Sequence, residues 1–429
     1  MSRRLLVLLL LALASPAFAE RLPMAGAVDR ACPRCSELER RELLPGIAEY
    51  FFTLDVGPGE FDVIGIHRVV RESEPYEPDP GSKALLLAHG DVWNFRAAFL
   101  PTGDRGLPIF LAEEGVDVWG IDFRWTRVPQ ATADLSFLAD WGVDQDAEDL
   151  RTAVATARAV RGLTGQGAKP LPVLGWSRGG QVGYAALAKE TRLAPRNRHI
   201  SAFIPVDIYV KTDRPELRAA ACQRYAATAA RIANGEQGES LGQLAGALGA
   251  FALAAPDAPS GIFAGLTNRQ AALLVGIATF SFFPPGLAPV PDYHFHGGIW
   301  TESGLPDGLS YTDEGTFLAF LAAASPWQPL RELAEGDAAT CDGPEAPNVP
   351  WDDRLRAIRV PILYVGAGGG FGAFGGYTVQ QLASRDTAAV LVTRLPPAGR
   401  RSDVGHADIF HARNAPAWFW GHILDWLER

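Results

Sequence analysis

The chain has 429 residues, 48% hydrophobic and 21% charged, with a formal net charge of −10. That is a globular composition with ample material for a large core, which excludes a disordered or low-complexity chain. The acidic balance argues against nucleic acid or an anionic membrane surface as a partner.

In chain order, Ser2-Arg3-Arg4 is a short basic start, Leu5 to Ala14 an apolar run, and Ala17-Phe18-Ala19 a small-x-small cleavage pattern. Residues 1–19 are therefore expected to be a cleavable secretory signal, too short for a membrane span. The mature protein is then periplasmic or secreted, without an integral span. Four cysteines suit an oxidising compartment. The Cys32-Pro33-Arg34-Cys35 stretch has neither the preceding strand of a redox motif nor the second ligand pair of a zinc site. We read the four as structural disulfides, Cys32–Cys35 and Cys222–Cys341.

Residues 20–49 read as a polar N-terminal arm. Tyr50 to Val56 and Phe61 to Val70 then read as a hairpin across Gly57-Pro58-Gly59. Ala84 to Ala88 is wholly apolar, as expected of a strand buried on both faces, and runs into His89-Gly90-Asp91-Val92-Trp93. Val116 to Phe123 is a further strand. The acids Asp140, Asp144, Asp146, Glu148 and Asp149 read as the start of a helix, not a calcium loop, because apolar helical spacing continues through Leu150, Val154, Ala157 and Val160. Next, Leu171-Pro172-Val173-Leu174-Gly175-Trp176 leads to Ser177-Arg178-Gly179-Gly180-Gln181 and a small-residue helix. Ile200 to Val206 is another apolar strand, ending at Asp207. Residues 208–350 change character: Ala-, Gly- and Leu-rich helical stretches punctuated by proline. Strands resume at Val360 to Val365 and Ala389 to Thr393, followed by Gly405-His406 and a terminal helix. Strand–helix alternation of this kind predicts an α/β fold, a mostly parallel sheet with helices on both faces.

The spacing Gly175-x-Ser177-x-Gly179 between strand and helix resembles the nucleophile elbow of the α/β-hydrolase superfamily. His89-Gly90 at a strand end and Gly405-His406 after the last strand support the resemblance. It implies residues 50–207 and 351–429 as the two parts of an α/β-hydrolase core and 208–350 as a helical cap insertion. It also implies Ser177 as nucleophile, His406 as base, and the backbone N–H groups of Asp91 and Arg178 as an oxyanion hole. A serine hydroxyl needs such a base, and the base an orienting acid. Most members carry the acid after the family's seventh strand, but Gly366 to Gly376 holds no Asp or Glu. We assign Asp207, after the sixth strand, with Asp403 and Asp408 as rivals. The glycine-rich stretch matches a dinucleotide fingerprint by letter but lacks its βαβ context, so it reads as a flexible loop and no cofactor is expected. His294 and His296, with no other ligand motif nearby, do not suggest a metal.

The expected function is an exported serine hydrolase cleaving a carboxylic ester, or related acyl bond, of a hydrophobic small molecule. Trp176 and Trp93 would contact substrate, and Phe263, Phe280, Phe282, Phe283 and Trp300 would line the pocket. A serine peptidase, an acyltransferase and a non-catalytic binding protein of this fold are the alternatives.

Overall fold

The computed structural model describes residues 21–79, 81 and 83–429, so the expected signal segment lies outside the described residues. Nine strands run along one sheet: β1 (Cys35–Leu44), β2 (Ile47–Asp55), β3 (Val63–Glu74), β4 (Ala84–Ala88), β5 (Asp117–Asp122), β6 (Leu171–Trp176), β7 (Ile200–Val206), β8 (Ile362–Ala367) and β9 (Thr387–Val392). Their spatial order is β1-β2-β3-β5-β4-β6-β7-β8-β9. The first three are antiparallel to their neighbours, and β5 through β9 pair in parallel.

Alternation along the central strands creates two cores. Leu85, Leu87, Leu174, Ile204 and Val365 face one, with Phe95, Phe99, Leu107 and Ile423 from the helices on that side. Leu86, Ala88, Val173, Phe203 and Ile362 face the other, against α1 (Met24–Ala31), α2 (Val143–Leu163) and α3 (Arg178–Glu190). A strand covered on both faces can carry no polar side chain in its middle, which is why Ala84 to Ala88 is unbroken. The acids of 140–149 do open a helix, α2.

The stretch 20–49 is not simply an arm. It carries α1 and β1, and the Cys32–Cys35 disulfide closes the turn between them. β1 escapes a pattern reading because it is an edge strand: Glu37, Glu39, Arg40, Arg41 and Glu42 face largely outward, a composition that discourages edge-to-edge pairing.

Between β7 and β8 the chain leaves the sheet for α4 (Pro215–Ala233), α5 (Leu241–Ala254), α6 (Asn268–Ile277), α7 (Glu314–Ala322) and α8 (Leu330–Cys341). The Cys222–Cys341 disulfide joins α4 to the end of α8. Among the described residues, no helix is long and apolar enough to cross a membrane.

Candidate active site

Ser177 stands alone between β6 and α3, at φ 54° and ψ −127°. A side chain at positive φ costs about 1–3 kcal/mol and persists only where its surroundings impose it. They do so here. Ser177 N–H donates to Val206 O at 3.0 Å. The backbone at Gly90 presses on the serine, so that a Cβ at position 90 would sit 2.7 Å from Ser177 Cβ. A Cβ at Gly175 or Gly179 would overlap neighbouring backbone, which accounts for the glycine spacing. With the Ser177 N–H committed, the free donors nearby are the N–H groups of Arg178, at the head of α3, and of Asp91; neither has a backbone acceptor among the described residues.

His406 is fully buried, and its Nδ1 lies 2.7 Å from Asp207 Oδ2. Among the described residues its Nε2 has no hydrogen-bond partner, and both His406 and Ser177 line the same cavity of about 530 Å³. Rings of Trp176, Tyr293, Phe295 and Phe371 surround the imidazole at centroid distances of 5.0 to 5.7 Å. Asp207 itself has φ 50° and accepts three backbone N–H groups: Ala367 and Gly372 at 2.9 Å on Oδ1, and Phe371 at 3.0 Å on Oδ2. Such bonds fix the orientation of the carboxylate.

The rival acids are engaged elsewhere. Asp403 accepts from the N–H groups of Arg394 and Val404, and Asp408 from Gly297, Gly405 and the Thr312 hydroxyl. Burial pushes Asp408 up to about 6. His89 is buried with Nδ1 2.9 Å from Gly90 O, and Phe123 N–H donates to its Nε2. Burial lowers its pKa, so it is a neutral brace for the loop after β4. His294 holds the carbonyls of Asp292 and Asp403, and His296 pairs with His411.

Side chains of Asp91 and Arg178 form an ion pair beside the serine, Nε to Oδ1 at 3.0 Å. Burial opposes the Arg178 charge, but Asp91 and Glu332 outweigh it and raise its pKa. Trp93 and Trp176 both line the cavity, as do Phe282 and Phe283. Phe263, Phe280 and Trp300, expected there, are not among its lining: Phe263 and Trp300 pack against the large core and Phe280 against a smaller cluster. Among the described residues, the one grouping with metal-ligand spacing is Cys222, Cys341 and Glu345, whose sulfurs are joined to each other.

No family model and no curated protein matches the sequence. Among solved structures, a candidate lipase from Sulfolobus solfataricus matches over 92% of this chain and 99% of its own, at 17% identity and a TM-score of 0.57. An esterase from Thermogutta terrifontis (16% identity, 92% and 98% covered, TM-score 0.41) and a monoglyceride lipase variant from Saccharomyces cerevisiae (12%, 91% and 94%, 0.41) align more loosely. The likeness is one of fold, and it agrees with the sheet order and the strand–serine–helix turn. This chain has the α/β-hydrolase fold.

Two features of this α/β-hydrolase fold escape a sequence reading. The glycine-rich stretch after β8 is not a flexible loop. It wraps the Asp207 carboxylate, and a Cβ at Gly370 would overlap Asp207 Oδ2. A carboxylate from the neighbouring strand end thus fills the space beside Gly370, while a Cβ at Gly368 would meet Asp403, one at Gly369 His294 and one at Gly375 Tyr364. A second feature is Gln328 and Glu332, buried behind Asp91. Nothing in their local pattern marks them, because their partners lie on other segments.

Proposed function

We propose that this protein is a serine hydrolase that cleaves a carboxylic ester, or related acyl bond, of a hydrophobic small molecule. The observation that supports it best is His406, bonded through Nδ1 to Asp207 and with a free Nε2 in the cavity that also exposes the strained Ser177. In this reading Ser177 Oγ attacks the acyl carbonyl while His406 Nε2 takes its proton. Asp207 holds the imidazole tautomer and stabilises the imidazolium. The carbonyl oxygen becomes an oxyanion held by the N–H groups of Asp91 and Arg178, donors worth about 3 kcal/mol each. Collapse expels the alcohol, protonated by His406, and leaves an acyl-enzyme. Water then attacks by the same route in reverse, releasing the acid and regenerating Ser177.

We read residues 208–350 as a cap over residues 50–207 and 351–429, with Trp93, Trp176, Phe282 and Phe283 offering apolar contact to the substrate. We also propose that residues 1–19 direct export, in keeping with two disulfides. Sequencing the N-terminus of protein recovered outside the cytoplasm is expected to give Glu20 first; an intact Met1 there rules this out.

The test of function is labelling by a fluorophosphonate, with Ser177→Ala as control. Wild type is expected to label and to hydrolyse p-nitrophenyl esters, and the variant to do neither. Folded wild type that fails to label ends the hydrolase reading in favour of a binding protein. Faster turnover of peptide amides than of esters would identify a peptidase, and acyl transfer to an added alcohol an acyltransferase.

A further inference from the structure

Beyond His89, the loop after β4 is held from outside the sheet. Trp93 Nε1 donates to Phe320 O at 2.8 Å. Ser325 N–H donates to Val92 O at 2.7 Å. Gln328 Nε2 donates to Asp91 Oδ1 and, at 3.1 Å, to Glu332 Oε2. Three consecutive loop residues are thus gripped by cap residues 320–328. The grip has work to do, because Val92 is β-branched yet sits at φ 56°, a conformation the local sequence disfavours.

The contacts continue across the serine. Asp91 accepts from Arg178 Nε at 3.0 Å and from a terminal nitrogen at 3.4 Å. Arg178 also donates to Gln181 Oε1, while Gln181 Nε2 donates to Tyr209 O at 3.1 Å. On the cap side, α8 lies so close to Arg178 that a Cβ at Gly336 would overlap the guanidinium. Gln328 and Glu332 are buried, as is most of the Arg178 side chain. A network of this kind, with charge-assisted bonds in a largely dry environment, holds its members to narrow positions.

We propose that the cap is part of the oxyanion machinery: Gln328 is a positioning residue that, through the Asp91–Arg178 side-chain pair, fixes the two backbone N–H groups facing Ser177. This rests on the hydrolase reading above. The physical reason is that an oxyanion hole works by preorganisation, so donors displaced by a fraction of an ångström lose stabilisation of the transition state but not of the bound substrate. The network spans Gln328, Asp91 and Arg178 as a unit, so their contributions are not independent.

The experiment compares Gln328→Met, Asp91→Asn, their double variant and Gly336→Ala with wild type, in ester turnover and in the rate of fluorophosphonate labelling. Gln328→Met keeps the side chain's length and removes its donor. Each single variant is expected to lower kcat at least tenfold with KM within twofold, and to slow labelling in parallel. The double variant is expected to lose much less than the product of the two single losses. Gly336→Ala reaches the same pair from the cap side, so it keeps the test alive if Gln328→Met does not fold, as judged by its thermal midpoint. Folded Gln328→Met and Asp91→Asn with wild-type kcat overturn the proposal and leave the hydrolase reading intact. A change confined to KM also overturns it, since Gln328 would then only contact substrate. Wild type that neither labels nor turns over removes the hydrolase reading and this inference together.

Discussion

Asp207 is the residue on which the site turns. Its carboxylate reaches His406 across 199 positions of sequence and is saturated by three N–H donors, whereas Asp403 and Asp408 bond only to backbone and to Thr312. Asp207→Asn keeps the shape but cannot hold the imidazole in the tautomer that the proposed mechanism requires. It is expected to lower kcat by about 10⁴-fold. Asp403→Asn, which retains an acceptor oxygen, should stay within a few-fold of wild type in kcat and show up as a loss of stability. Steady-state kinetics on both variants decide the matter: near-normal turnover by Asp207→Asn removes Asp207 from the mechanism.

At the level of elements, two connections shape the site. One is the loop from Ala367 to Gly372, which closes round Asp207. Because a Cβ at Gly370 has no space beside the carboxylate, Gly370→Ala is expected to destabilise the fold by about 1–3 kcal/mol and to misalign His406. Chemical denaturation together with kcat measures both effects; a stable, fully active variant would mean that the loop yields easily. The other connection is the Cys222–Cys341 bridge, which closes a span of 119 positions and ties α4 to α8, two walls of the cavity. Replacing both cysteines by serine is expected to cost about 2–5 kcal/mol in denaturant unfolding.

For the molecule as a whole, a carboxyl pair links α8 to α2. Glu332 of α8 and Asp146 of α2 are both buried against each other, and among the described residues no other N–H or O–H group reaches Glu332 Oε1 or either Asp146 oxygen. Burial pushes Glu332 up from its ordinary 4.5 to about 7, with Asp91 adding to the shift and Arg178 opposing it. Burial, Glu332 and Asp149 raise Asp146 in turn, against Arg124. The pair therefore retains a proton near neutral pH. An acid whose folded pKa is raised stabilises the fold fully below its unfolded pKa, and that contribution is lost as pH climbs through the folded value. Between pH 4.5 and about 7 the protein is expected to lose on the order of 3 kcal/mol from this source. Glu332→Gln should flatten that part of the stability profile in urea unfolding. An unchanged slope would show that the pair is not sharing a proton.

Much of this was legible in the sequence, and the limits of legibility are physical. The buried strands, the strand–helix alternation and the elbow at Ser177 depend on interactions within a few residues: continuous apolar runs, and glycines two positions either side of a crowded turn. The expectation that His406 is the base rests on its place after the last strand. Edge strand β1 was missed because it faces water and carries no apolar signature. The glycine-rich loop does not read as a packed element because its partners, Asp207, Asp403 and His294 among them, lie on other segments. What sequence alone determined is the set of buried strands, the helices between them and the position of the serine, since those follow from local sterics and hydrophobic period. Only the tertiary structure decided which acid meets His406, what fills the space above the glycines, and that Gln328 grips Asp91, because each is a contact between side chains brought together by the crossing of distant segments.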